Sequence, residues 1–182
     1  MKANASMGRP NSPSCPEHQR ITILGVGNIL LKDEGVGVRV IERLDSDYVF
    51  PENIRIVDGG VLGMRLMGIV ADADVLIVVD AVQNSQAPGT LYRLAGEQIP
   101  RRVLAKHSMH QLDLPEVLAL CSAIDHTPET IVIGIEPEDI QTMEMELTPT
   151  ISEKMDALVS MVIEELDRLN VPYGNKPGPS SP

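Results

Sequence analysis

The sequence predicts an α/β fold in which helices pack on a doubly wound, mixed five-stranded sheet. Two observations carry this prediction. Short β-branched runs alternate with segments whose apolar residues recur at helical spacing, giving the order β-α-β-α-β in the amino-terminal half. One of those runs, Val75 to Val79, is continuously apolar, as a strand covered on both faces must be.

The first strand is expected over Arg20 to Leu24 ("RITIL") and the second over Ile54 to Val57 ("IRIV"); both run into glycine-containing turns. Between them Val36, Val40, Ile41 and Leu44 share one helical face, and Leu62, Leu66, Met67 and Val70 do the same before the third strand, Val75 to Val79. Thr90 to Leu94 follows "APG" too closely for a helical crossover, which predicts an antiparallel or edge strand. Leu114 to Ile124 reads as a helix and Thr130 to Ile135 as the fifth strand. A long terminal helix is expected over Thr148 to Leu169, started by Pro149 and by "TISE" (Thr150 to Glu153) as a capping box. Its residues Ile151, Met155, Leu158, Val162, Ile163, Leu166 and Leu169 read as core.

Length and composition fit one domain: 182 residues, 43% of them hydrophobic. Residues 1–20 and 171–182 are rich in Pro, Gly, Ser and Asn without apolar periodicity, and read as flexible tails around a domain at 21–170. The head carries no continuous apolar segment of the secretory kind and no run is long enough to span a bilayer, so a cytoplasmic protein with no membrane partner is expected. Cys15 in the head and Cys121 in a helical pattern read as reduced thiols. The formal charge is −11, and with one Phe, three Tyr and no Trp there is little to stack on bases, which excludes nucleic acid as a partner. Such a field favours a metal ion or a cationic protein segment.

In a doubly wound sheet the first three strands take the order 2-1-3, and ligands sit at the carboxyl ends where the first and third strands diverge. Asn28, Asp33 and Glu34 stand beyond the first strand, Asp58 beyond the second and Asp80 beyond the third. The loop "GVGNILLKDEGVG" superficially resembles a dinucleotide fingerprint, but Leu30 occupies the third glycine position. Asp58 stands 28 residues past Leu30, where the ribose-binding acid of that fingerprint lies about 20 residues on. There is no P-loop, no G-x-S-x-G elbow and no H-E-x-x-H helix, although His107 and His110 precede a predicted helix. Glu34, Asp80 and His110 form an O,O,N set suited to nickel or zinc. From spacing alone a second explanation stays open, in which Asp58 and Asp80 punctuate strand ends and Glu34 favours a helix amino terminus.

The chain resembles the hydrogenase maturation endopeptidases over about residues 21–170. The resemblance is carried by "GVGNILLKDEGVGV", "VDGG", "LIVVDAV", "APGT", "HQLDLPEVL", "IGIEPE" and "LTPT", in the order and at the intervals of that family. It implies a three-layer α/β/α sandwich around a twisted, mostly parallel five-stranded sheet. It implies an aspartic-type endopeptidase that removes the C-terminal extension of a nickel-iron hydrogenase large-subunit precursor after nickel insertion. The nickel-recognising triad maps onto Glu34, Asp80 and His110, and a further important aspartate onto Asp58. Nickel in this picture is supplied chiefly by the substrate, with no permanently bound metal required. Two other readings are a non-catalytic nickel-binding or delivery protein using the same ligands, and a nucleotide-binding α/β protein, against which the acidic loop argues.

Overall fold

Parallel pairing of the apolar runs sets the architecture. The computed structural model describes residues 19–60, 66–96, 99 and 127–177. In chain order these form β1 (Ile21–Val26), α1 (Val36–Asp47), β2 (Tyr48–Val49), β3 (Ile54–Gly60), α2 (Leu66–Ala71), β4 (Val75–Ala81), β5 (Leu91–Ala95), β6 (Glu129–Ile135), α3 (Pro149–Ser152), α4 (Met155–Arg168) and β7 (Gly174–Asn175). The main sheet has the order β3-β1-β4-β6-β5. Its first four strands are parallel, and β5 lies antiparallel at the edge beside β6. The 2-1-3 order and the edge placement expected from the sequence are both present.

Strand alternation divides the core into two layers. Ile21, Ile23, Val75, Ile77, Val79, Ile131 and Ile133 face α1 and α4, where Val36, Val40, Ile41, Leu44, Leu158, Val162 and Leu166 complete one cluster. Leu24, Leu76, Val78 and Val132 face α2 and pack with Leu66 and Val70. The result is a three-layer α/β/α sandwich. The helix expected over Leu114 to Ile124 lies outside the described residues, as do Leu62, Cys15 and Cys121. Among the described residues no helix is long and apolar enough to cross a membrane.

Three local features differ from the sequence reading. Strands β3 and β4 run on through Asp58 and Asp80, because parallel pairing is made by the backbone and continues past the apolar residues: Asp58 aligns with Gly25, and Asp80 with Gly134. The terminal helix is interrupted. A short turn at α3 precedes a break at Glu153 and Lys154, after which α4 begins. The capping box is not made either; the amino-cap residue is Thr148, and its hydroxyl is drawn to Asp33 instead. Beyond α4 the chain returns to the amino end of the sheet, where β7 pairs antiparallel with β2, Val171 is buried, and Tyr173 meets Tyr48 edge-on.

Candidate active site

The glycine loop is shaped by close approach. Gly27 has φ +135°, and a Cβ there would lie 1.8 Å from the Glu34 carbonyl oxygen, so only glycine lets residues 27 and 34 meet. At Gly37 a Cβ would lie 2.2 Å from the Val79 carbonyl oxygen and 2.4 Å from that of Val26, which seats the start of α1 directly on the carboxyl ends of β1 and β4. Asn28 organises the intervening turn, its side-chain oxygen accepting the Leu30 amide at 3.0 Å. A 3-10 turn over Lys32–Gly35 then carries Glu34, half-buried, and packs against β4. Lys32 holds φ 39°, a left-handed conformation that costs a non-glycine residue about 1 kcal/mol.

What holds that turn is its neighbour. The Asp33 side chain is fully buried and accepts four hydrogen bonds: from the Glu138 and Asp139 amides (3.0 and 2.9 Å), and from the Thr148 amide and hydroxyl (2.8 and 3.0 Å). Lys32 adds ion pairs to Glu144 at 3.1 Å and Asp139 at 3.5 Å. The hydrogen bond from Lys32 to Glu144 chiefly raises the lysine pKa. Asp139 is held below the usual carboxylate range by Thr142 and the Gln141 and Thr142 amides, with a smaller contribution from Lys32. Three backbone hydrogen bonds, Lys32 to Glu144, Asp33 to Asp139 and Glu144 to Leu30, complete the fastening. Segments 30–34 and 138–148 are thus one unit.

Around this turn stand the predicted acids. Asp80 is 2% exposed in β4, and by strand parity shares the α2 face with Leu76 and Val78. Asp58 is exposed on the opposite face, with Ile54 and Ile56. It lines a pocket of about 120 Å³ with Gly27, Asn28, Ile29, Val38 and Gly60. Strand β1 separates the two acids, so their backbones are about 10 Å apart, two inter-strand spacings. They do not form a proton-sharing pair. His110 lies outside the described residues, as does His107, and among the described residues no group of three His, Cys, Asp or Glu side chains converges on a metal position.

A second buried carboxylate organises the loop that follows Asp80. Glu136 is 6% exposed and accepts the Asn84 and Ser85 amides and the Tyr92 hydroxyl, the last at 2.5 Å. Burial, reinforced by this hydrogen bond to an anion, pushes the Tyr92 phenol up to about 12. Sequence pattern does not distinguish Asp33 or Glu136 as a buried acceptor: Asp33 stands beside Glu34 beyond the first strand, and Glu136 is marked only by its place in "IGIEPE".

Comparison with known proteins places this geometry among relatives. The family model described as hydrogenase maturation protease matches residues 38–165. The hydrogenase 2 maturation protease of Escherichia coli is 40% identical over 149 residues, spanning 81% of this chain and 90% of that protein. The hydrogenase expression/formation protein HupD of Thiocapsa roseopersicina is 38% identical over 153 residues, 83% of this chain and 69% of that protein. Among solved structures, the E. coli hydrogenase maturating endopeptidase HybD superposes with a TM-score of 0.80 at 36% identity, covering 86% of this chain and 98% of that one. The maturation protease HycI of Thermococcus kodakarensis gives 0.66 at 26% identity, covering 82% and 93%.

Proposed function

The chain belongs to the hydrogenase maturation protease family, and from that premise we propose that it removes the C-terminal extension of a nickel-iron hydrogenase large-subunit precursor, in the cytoplasm, after nickel insertion. Glu34, Asp80 and His110 recognise the nickel that the precursor carries. Asp58 activates the water, which makes the enzyme aspartic in type. The nickel belongs to the substrate, and no resident metal is required.

The observation that supports this reading best is that three acids stand at one end of the sheet. Glu34 is presented on a rigid turn at the end of β1, while the two strands flanking β1 bring Asp80 and Asp58 to the same edge. Carboxylate oxygens with one imidazole nitrogen suit a borderline ion. Anchoring a metal-bearing precursor there fixes the scissile peptide and converts an encounter into a near-attack geometry. Asp58, in its own small pocket and apart from Asp80, acts alone: its carboxylate takes a proton from water as the oxygen attacks the peptide carbonyl, and the resulting carboxylic acid returns that proton to the leaving amine as the C–N bond breaks, which regenerates the carboxylate.

The test is incubation with a large-subunit precursor, with and without nickel, reading the C-terminal mass of the product. Cleavage of the nickel-loaded form alone is expected. Glu34→Gln, Asp80→Asn and His110→Ala should each lower the rate about 100-fold or more. Normal cleavage by all three would refute the recognition set, and wild-type processing by a folded Asp58→Asn chain would remove Asp58 from the mechanism.

A further inference from the structure

Among the described residues four large apolar side chains are exposed, and three of them stand on the two segments fastened together at the Glu34 turn: Leu30 at 49%, Met143 at 82% and Met145 at 53%. A parallel bridge between Leu31 and Glu144 brings them together, with the Glu144 amide donating to the Leu30 carbonyl at 3.0 Å and the Lys32 amide to the Glu144 carbonyl at 2.7 Å. The bridge sets residues 30 and 143 side by side. The patch is rigid, since the Asp33 and Lys32 contacts fasten both of its segments. Its margin carries both signs: Glu138, Glu144 and Glu146 are exposed on the same segment, Lys32 pairs with Glu144 at 3.1 Å, and Arg39 donates to the Met145 carbonyl at 3.2 Å.

We infer that Leu30, Met143 and Met145 form the docking surface for the folded large-subunit precursor, received through an apolar patch of that protein bordered by basic residues. The inference rests on the processing reading above, in which the precursor brings its metal to Glu34, four residues from Leu30 on the same loop. Methionine suits such a surface, its flexible thioether adapting to a partner's shape. Rigid backbone beneath it means that little ordering is required on binding. The exposed Glu138 and Glu146, on a chain of formal charge −11, favour a basic border on the partner by charge complementarity.

The experiment titrates nickel-loaded precursor with the full chain, measuring Kd by calorimetry and KM and kcat by product mass. Met143→Glu with Met145→Glu should raise both Kd and KM about tenfold or more with kcat unchanged. The pair Met143→Leu and Met145→Leu should stay near wild type, and Glu138→Lys with Glu146→Lys should weaken binding and flatten its salt dependence. Leu30→Glu supplies an independent disruption should the double variant lose its thermal transition. An unchanged Kd in the folded charged variants overturns the inference, as does a wild-type chain that fails to bind the precursor. A wild-type chain that binds through the patch yet leaves the precursor uncut would uphold the surface and refute the processing reading.

Discussion

Asp33 and Glu34 are adjacent acids of opposite character. Glu34 is half-exposed at the sheet end, whereas Asp33 is sealed inside and accepts four hydrogen bonds from the protein. Asp33→Ala should therefore do more than remove a charge. It leaves the Glu138, Asp139 and Thr148 amides without their acceptor and should destabilise the fold by about 2–4 kcal/mol, measured by urea unfolding. Sequence alone could not have revealed this role, because the donors stand 105 to 115 positions away and nothing local distinguishes a buried acid from a ligand. Glu34 and Asp80 could be nominated because strand ends in a doubly wound sheet are where ligands gather. Asp139 yields a pH prediction. Its folded pKa is lowered, so its contribution is complete above the ordinary value of about 3.9 and is lost as pH falls through the folded value. The stability gap between wild type and Asp139→Asn should hold from pH 7 to 5 and close in strong acid.

The strands were legible as elements because each has a dense β-branched or apolar run, and a continuous run such as Val75 to Val79 has no reading as an amphipathic surface segment. The interruption between α3 and α4 was not legible, since Thr150 and Glu153 reproduce the capping-box spacing while the true cap, Thr148, stands two residues earlier and its hydroxyl serves Asp33. Strand β7 was equally hidden: Gly174 and Asn175 have low strand propensity, and the pairing exists because Val171 and Tyr173 anchor the segment. The edge strand β5 is fastened to α4 by Arg93, which grips the buried Glu165 through Nε at 2.5 Å and Nη2 at 2.9 Å. Arg168 shares the same carboxylate. Arg93→Ala should thus cost only about 1–2 kcal/mol, below the usual loss for a buried pair, because Glu165 keeps one cation. Hydrogen exchange should quicken selectively in β5.

For the whole molecule, the formal charge of −11 creates a field that attracts cationic partners and is screened by salt. Association with a precursor bearing a basic border should slow as ionic strength rises from 0.05 to 0.5 M, with the cleavage step itself little changed; stopped-flow binding measures the one and single-turnover mass analysis the other, taking the screening length from about 14 to 4 Å. The small β2–β7 ribbon bears on the molecule's relation to its own work. It ties residues 174 and 175 to the amino end of the sheet, about 20 Å from the acidic edge, the length of one strand. The peptide leaving α4 is thereby led away from the crevice where we place the cut. A protease that trims tails keeps this stretch of its own chain out of its reach by anchoring it to the opposite pole.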